Sequence, residues 1–332
     1  MATRLALGLT LLLSADMRAG TSVHMVAASA PASSIDSTTP HVASDGRSSV
    51  AAEFRRVDFH LEDGIVLHID RLRGDLVPNG TSKPPTFDDK SSFTLHIATA
   101  DIAIDTVSLA NLLNRHVFGY KGAPLRKLSV HTEGNELVQT GVMKKGVSMP
   151  FKIHATLSLT PDGRIRMHPT SVKVGGIGMK RVMRAFGIEL DDVLKVQPGH
   201  GASLDGNDVI LDPLVALPLP KIKGRITSIA IAEGMVRQVF SADSGLRTSA
   251  LRTPTESTPN YMFFRHGTLR FGKLTMVDAD LLILDGSPKD RFDFSLDRYN
   301  DQLVAGHSNS TRDLGLIVHM PDLGDVAASR KK

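Results

Sequence analysis

Residues 149–169 read MPFKIHATLSLTPDGRIRMHP and contain the clearest strand pattern in the chain. Between residues 151 and 159 every second side chain is apolar, and polar side chains stand between them. Residues 161–163, Pro-Asp-Gly, are a tight-turn sequence, after which residues 165–168 resume the alternation. Alternation with a period of two is typical of a strand with one buried face. The stretch therefore predicts two long antiparallel strands joined by a tight turn.

The same alternation recurs on both sides of this hairpin. Residues 57–61 and 65–69 alternate around the turn at residues 62–64 and predict a second hairpin with one buried face. Further strand-like segments are residues 93–97, 102–104, 128–130, 209–211, 226–231, 235–240, 269–276 and 281–284. Residues 79–92 are mostly polar, contain Gly and Pro, and predict a long exposed loop.

Two segments depart from the period of two and repeat their apolar residues at helical spacing. The apolar side chains of the first are Leu109, Leu112, Leu113 and Val117, and Gly119 ends it. Those of the second are Met179, Val182, Met183 and Phe186, and Gly187 ends it. Each pattern predicts an amphipathic helix of about three turns. The predicted fold class is therefore α+β, with an antiparallel sheet packed against a few amphipathic helices.

Composition limits the chemistry that the chain can use. It has 332 residues, no cysteine and a formal net charge of +4. Without cysteine it can form no disulfide, thiolate metal site, thiol nucleophile or lipid attachment through an amino-terminal Cys. The positive charge is small and spread along the chain, which argues against nucleic acid as a partner but suits contact with an acidic membrane surface.

The amino-terminal residues have the order of a secretory signal peptide. Arg4 precedes the apolar run of residues 5–13, and the small residues 28–30 follow. The apolar run is too short to span a bilayer. We therefore expect residues 1–30 to be a signal peptide and the protein to be periplasmic or secreted, as part of the cell envelope. An uncleaved amino-terminal anchor is the alternative.

Changes in composition divide the remainder of the chain. Residues 31–50 are rich in Ser, Thr, Ala and Pro and predict a disordered linker, whereas residues 51–240 carry the strands and helices of the main domain. Residues 241–260 are polar and predict a loop or linker. Residues 261–325 predict a β-rich C-terminal extension, and residues 326–332 predict a basic tail.

No residue pattern in the sequence indicates a catalytic or metal site. The nearest match to a Gly-x-Ser-x-Gly nucleophile elbow, residues 306–310, has Ser in place of the closing Gly, and no paired-His metal motif occurs. Residues 175–178 contain three glycines without nucleotide-binding spacing, so a strand-to-helix turn is the simpler interpretation, although a lipid phosphate could meet it. Asp290, Asp293 and Asp297 lack the ligand spacing of a calcium loop. The sequence therefore predicts a non-enzymatic protein with no cofactor and no metal.

The order of these elements is similar to that of a known family. The segments that carry the resemblance are the helix at residues 109–118, LRKLSVHTEGNELVQTGVM (125–143), the hairpin at residues 149–169, VKVGGIG (172–178), MKRVMRAF (179–186), LDGNDVILDP (204–213) and KIKGRITSIAI (221–231). Over residues 93–240 the chain resembles the LmeA-like phospholipid-binding proteins, bacterial relatives of the tubular lipid-binding (TULIP) superfamily. The resemblance implies a strongly curved antiparallel sheet wrapped around helices, with an apolar groove that takes up acyl chains. Residues 261–325 lie outside it and would add further C-terminal strands.

The two predicted helices supply the candidate binding residues. We expect an apolar wall of Leu109, Leu112, Leu113, Val117, Met179, Val182, Met183 and Phe186. On the opposite face of the second helix, the candidates for contact with lipid phosphates are Lys180, Arg181 and Arg184, although a solvated helix face is the commoner origin of such residues. The predicted partner is phospholipid or another lipid, bound for carriage or presentation. The alternative is a non-catalytic structural or protein-interaction module of the envelope with a solid core, which the unmatched C-terminal residues suggest.

Overall fold

Two large β-sheets and one small hairpin contain the strands of the described part of the molecule. The computed structural model describes residues 49–81, 83–145, 147–178, 196–241 and 259–329. These residues belong to one compact unit. The predicted signal peptide and the second predicted helix lie outside the described ranges.

Strands predominate over helices throughout the described residues. In chain order the strands are β1 (Val50–Glu62), β2 (Ile65–Pro78), β3 (Phe93–Asp105), β4 (Leu125–Glu133), β5 (Glu136–Lys145), β6 (Val147–Leu159), β7 (Ile165–Val174), β8 (Ile177–Gly178), β9 (Ala202–Asp205), β10 (Asp208–Leu211), β11 (Lys221–Lys223), β12 (Ile226–Ala232), β13 (Met235–Phe240), β14 (Tyr261–Arg265), β15 (Thr268–Phe271), β16 (Leu274–Val277), β17 (Asp280–Asp285), β18 (Phe292–Ser295), β19 (His307–Ser310) and β20 (Leu316–Met320). The helices are α1 (Thr106–Leu112), α2 (Pro213–Ala216), α3 (Tyr299–Ala305) and α4 (Leu323–Ser329), and a π-helical turn (Leu113–Val117) continues α1. Within the described ranges, no helix has the length and apolar composition of a bilayer-spanning segment.

The strands divide into two sheets where the sequence predicted one. The large sheet has eleven strands in the order β12-β13-β3-β2-β1-β14-β17-β20-β19, with β11 beside β3 and β18 beside β1. The second sheet has seven strands in the order β4-β5-β6-β7-β10-β9, with β8 beside β7. The chain leaves the large sheet at the end of β3, because α1 and the π-helical turn separate β3 from β4. The fold is of the predicted α+β class.

Both hairpins predicted from apolar alternation are confirmed. β1 pairs antiparallel with β2 along its whole length, and β6 pairs antiparallel with β7 from Phe151 to Leu159. Each pairing contains a register shift, which bends the strand locally. The sheets are not antiparallel throughout, because β18 runs parallel to β1, β11 to β3 and β20 to β17.

The C-terminal strands continue the large sheet. β14 pairs with β1 from Ala51 to Arg55, and β17, β20 and β19 follow it outward. The single strand predicted at residues 269–276 is wrong, since the chain turns at Gly272 and forms the two-stranded hairpin β15-β16. Gly272 has a φ of 57°, a left-handed conformation that glycine adopts without steric cost.

The sequence predicted an exposed loop between β2 and β3, but part of this loop is buried. Phe87 in this loop is 3% exposed. Its ring centroid lies 5.2 Å from that of Phe271, 5.4 Å from that of Phe264 and 5.5 Å from that of Tyr299. Such edge-to-face pairs add to the stabilisation that burial of the ring provides. The prediction failed because the rings that bury Phe87 come from the C-terminal elements, far away in sequence.

Phe87→Ala is expected to lower the free energy of unfolding by about 3–5 kcal/mol, because it deletes a buried ring from the core. Chemical denaturation measures this loss. Lys83→Ala, at an exposed position of the same loop, is the control and should change the stability by less than about 0.5 kcal/mol. Two variants of equal stability would mean that the loop does not pack on the C-terminal elements.

Candidate functional site

An apolar cavity of about 60 Å³ lies between the two large sheets, and we call it the central cavity. The large sheet contributes Ile102, Ile104 and Val236 to its wall, and the second sheet contributes Leu137, Leu157 and Leu211. Residues of α1, of the π-helical turn and of α2 complete the described lining. The cavity is therefore enclosed by both sheets and by the helices between them.

Two smaller cavities adjoin the central cavity. The second cavity measures about 30 Å³, and the residues that it shares with the central cavity are Leu109, Leu113, Leu137 and Leu211. The third cavity measures about 20 Å³, and the residues that it shares with the central cavity are Leu67, Ile97, Ile102 and Ile222. Because the two sets of shared residues are different, the three cavities form a row with the central cavity in the middle.

The first predicted helix supplies part of these walls. Leu109, Leu112, Leu113 and Val117 all line the central cavity. Met179, Val182, Met183 and Phe186 lie outside the described residues, as do the candidate phosphate contacts Lys180, Arg181 and Arg184. The structure thus brings the four wall residues of the first helix together at one cavity. Their role in binding lipid stays a prediction.

The position of this helix depends on Asp105, the last residue of β3. Its carboxylate accepts hydrogen bonds from the backbone N–H groups of Val107 and Ser108, both at 2.8 Å, and so caps the N-terminus of α1. The Ser108 hydroxyl donates to the same carboxylate at 2.7 Å and accepts a bond from the N–H of Val66 in β2 at 3.1 Å. Because the cap is bonded to β2 as well as to α1, the start of the helix is fixed to the large sheet.

His68 of β2 joins this cap to β1. Its Nδ1 lies 2.9 Å from Oδ1 of Asp58, and its Nε2 lies 3.2 Å from Oδ2 of Asp105. The bonds to Asp105 and Asp58 favour the protonated ring and raise the pKa of His68 to about 9. Burial alone would raise the pKa of Asp105, but the hydrogen bonds that this carboxylate accepts outweigh burial and hold its pKa well below the usual range. At neutral pH, His68 is therefore a cation between two carboxylates.

A hydrolytic triad has the same residue types as Ser108, Asp105 and His68, but here the hydrogen bonds connect them in a different order. In a triad the imidazole bonds to the hydroxyl and takes its proton. In this protein the carboxylate of Asp105 lies between the hydroxyl and the ring, and both ring nitrogens of His68 face carboxylates. The three residues therefore anchor a helix and do not activate a nucleophile. Within the described ranges, no group of three or more His, Asp or Glu side chains is placed to hold a metal ion.

Two glutamines in the cavity walls were not predicted from the sequence. Gln238 of β13 lines the central cavity, and Gln139 of β5 lines the second cavity. Among the described residues that line each cavity, the glutamine is polar and all the others are apolar. The signal that could have found Gln238 is its place between Val236 and Phe240, since residues two apart in a strand share one face.

No protein-family model, curated protein or solved structure matches the chain. The resemblance to the LmeA-like proteins therefore rests on sequence segments alone and stays a prediction.

His68→Gln is expected to lower the free energy of unfolding by about 1–3 kcal/mol near pH 6, because it removes a cation from between two carboxylates. The folded-state pKa of about 9 lies above the ordinary value of 6.5, so the stabilisation is complete below pH 6.5 and is lost as the pH rises to about 9. The difference between wild type and variant should therefore shrink over this range in urea denaturation.

His131→Gln is the control for this measurement. His131 and its partner Glu133 are 47% and 48% exposed, and exposed ion pairs contribute little to stability. A difference between wild type and His68→Gln that stays constant across the pH range would mean that His68 is not held as a cation.

Proposed function

We propose that the protein is an exported, non-enzymatic envelope protein that binds the acyl chains of a phospholipid or a similar lipid between its two large sheets. The observation that carries the proposal is the central cavity between the two sheets, together with the two cavities that adjoin it. The described linings of the three are apolar except for one glutamine in each of two. An aliphatic chain placed against such walls leaves water without separating polar groups from their partners. Carriage or presentation of a lipid requires this kind of shelter and no covalent step.

The location in the envelope is supported by the sequence. Residues 1–30 have the order of a signal peptide, and residues 93–240 resemble phospholipid-binding proteins in the order of their elements. The small positive net charge suits an acidic membrane surface, from which such a protein would collect its cargo.

The cavities must widen before they can hold a chain. Sites for small molecules usually measure about 300–1,000 Å³, whereas the central cavity measures about 60 Å³. The residues between the central and second cavities are leucines, whose side chains move by changing rotamer. Each buried methylene contributes about 0.8 kcal/mol, so sheltering roughly eight of them gives about 6 kcal/mol to offset the cost of opening.

A second candidate function is protein interaction through a sheet edge, around a solid core. The small cavity volumes favour it, and so does β19, the outermost strand of the large sheet on one side. All four residues of β19 are exposed. The backbone groups on the outer side of an edge strand can pair with a strand of another protein.

Native mass spectrometry with lipid extraction separates these two candidates. The sample is the mature protein purified from a bacterial envelope. Phospholipid that co-purifies at near-stoichiometric occupancy supports lipid binding and identifies the cargo class. A mass that stays that of the ligand-free protein after incubation with phospholipid vesicles contradicts lipid binding and leaves the sheet edge as the candidate.

Leu137→Phe is expected to lower the lipid-bound fraction severalfold, because Leu137 lies between the central and second cavities and the larger ring fills space in both. The same mass spectra measure this fraction. Overpacking also destabilises a core by about 1–3 kcal/mol, so a matched substitution is needed.

The matched substitution is Leu282→Phe. Leu282 is 6% exposed and Leu137 is 3% exposed, but Leu282 packs with Phe263 in a separate apolar cluster and lines none of the three cavities. Equal lipid content in the two variants would place the lipid site away from the cavities.

A further inference from the structure

Gln238 and Gln139 are buried polar side chains in apolar walls. Gln238 is 8% exposed and Gln139 is 4% exposed. Val236 and Phe240, two residues to either side of Gln238 in β13, line the same central cavity, so the Gln238 side chain lies on the cavity side of the strand. Neither side-chain amide has a hydrogen-bond partner among the described residues. The fully buried described side-chain atoms without a partner are Asn260 Oδ1 and Arg265 Nε, so the two glutamine amides keep a small accessible surface.

Gln302 of α3 gives the contrast, because it is buried and fully paired. Its Oε1 accepts a hydrogen bond from the N–H of Ser295 at 2.9 Å. Its Nε2 donates to the carbonyl oxygens of Asp293 at 2.8 Å and Pro321 at 2.9 Å. Gln302 thus ties α3 to β18 and to the segment after β20, which is a structural role that Gln238 and Gln139 do not have.

An unpaired amide in an apolar wall weakens the folded state unless something enters the cavity and pairs with it. Water is a poor partner, because an ordered buried water needs about two to four polar neighbours. Gln238 is the one polar side chain among the described residues that line the central cavity. A molecule that is mostly aliphatic and carries one hydrogen-bonding group matches both the apolar wall and the amide.

We propose that Gln238 binds the polar group of the cargo, so that the cargo is an oxygen-bearing lipid and not a plain hydrocarbon. The side-chain amide has a donor and an acceptor, which together pair with a hydroxyl, carboxyl or ester group on the chain. Gln139 offers the same pairing in the second cavity. This inference rests on the proposed function and adds that the polar group lies between the sheets.

Equilibrium dialysis of the delipidated full chain against octan-1-ol and against octane tests the assignment, because the two probes differ by one hydroxyl. Gas chromatography of the bound probe gives each affinity. In Gln238→Leu the affinity for octan-1-ol should fall about 3- to 10-fold, the usual effect of one hydrogen bond, while the affinity for octane is unchanged or higher. An equal loss for both probes, or no loss for either, would overturn the assignment. Gln238→Met, with an unbranched side chain of similar length, repeats the test if the Leu variant does not fold.

Gln302→Leu is the matched control, the same substitution at a paired glutamine. Without ligand, the midpoint of thermal unfolding should rise by about 2–4 °C in Gln238→Leu, because an unpaired amide is removed. It should fall in Gln302→Leu, because three backbone groups lose their partner. A fall in both variants would mean that Gln238 has a structural partner, which contradicts a role in recognition.

The two proposals fail in different ways. If the wild type binds neither probe, lipid binding and this inference are both wrong. If the wild type and Gln238→Leu bind octan-1-ol equally, the cavities hold aliphatic chains but the amide does not select them.

Discussion

The fold depends on the side chain of Asp105, which ends a strand and begins a helix at the same point. The first N–H groups of a helix have no partner within the helix, and the Asp105 carboxylate supplies one to Val107 and Ser108. Because His68 and Ser108 hold the same carboxylate, the helix start cannot swing away from the large sheet. The apolar face of α1 is therefore directed into the space between the sheets, and the chain begins the second sheet at β4.

The same junction borders the central cavity between the two sheets. Protein interiors are normally packed as densely as organic crystals. In this molecule the layer between the sheets is formed in part by α1, which has seven residues, and by the π-helical turn of five residues that follows it. π-helical turns are rare and often occur at functional sites. Side chains of both parts of this layer, Leu109 and Leu112 of α1 and Leu113 and Val117 of the turn, line the central cavity.

Much of the strand pattern could be predicted from the sequence, because alternation reports which side of a strand is buried. It found the hairpins β1-β2 and β6-β7 without knowledge of their neighbours. Alternation carries no information on pairing between distant strands, so it did not reveal the division into two sheets or the parallel partners of β1 and β3. Phe87 was missed for the same reason, since its burial is decided by Phe264, Phe271 and Tyr299.

The candidate site, too, could be predicted from the sequence only in part. Helical spacing alone identified Leu109, Leu112, Leu113 and Val117, because a helix that buries one face must repeat its apolar residues. Gln238 and Gln302 are both buried glutamines, and nothing in their local sequence shows which of them has hydrogen-bond partners. Gln302 meets three backbone groups because two other segments end beside α3, whereas Gln238 faces aliphatic side chains that offer no partner. The elements that the fold places opposite a buried amide therefore determine whether it has a hydrogen-bond partner within the protein. No local sequence motif predicts this, because those elements are distant in sequence.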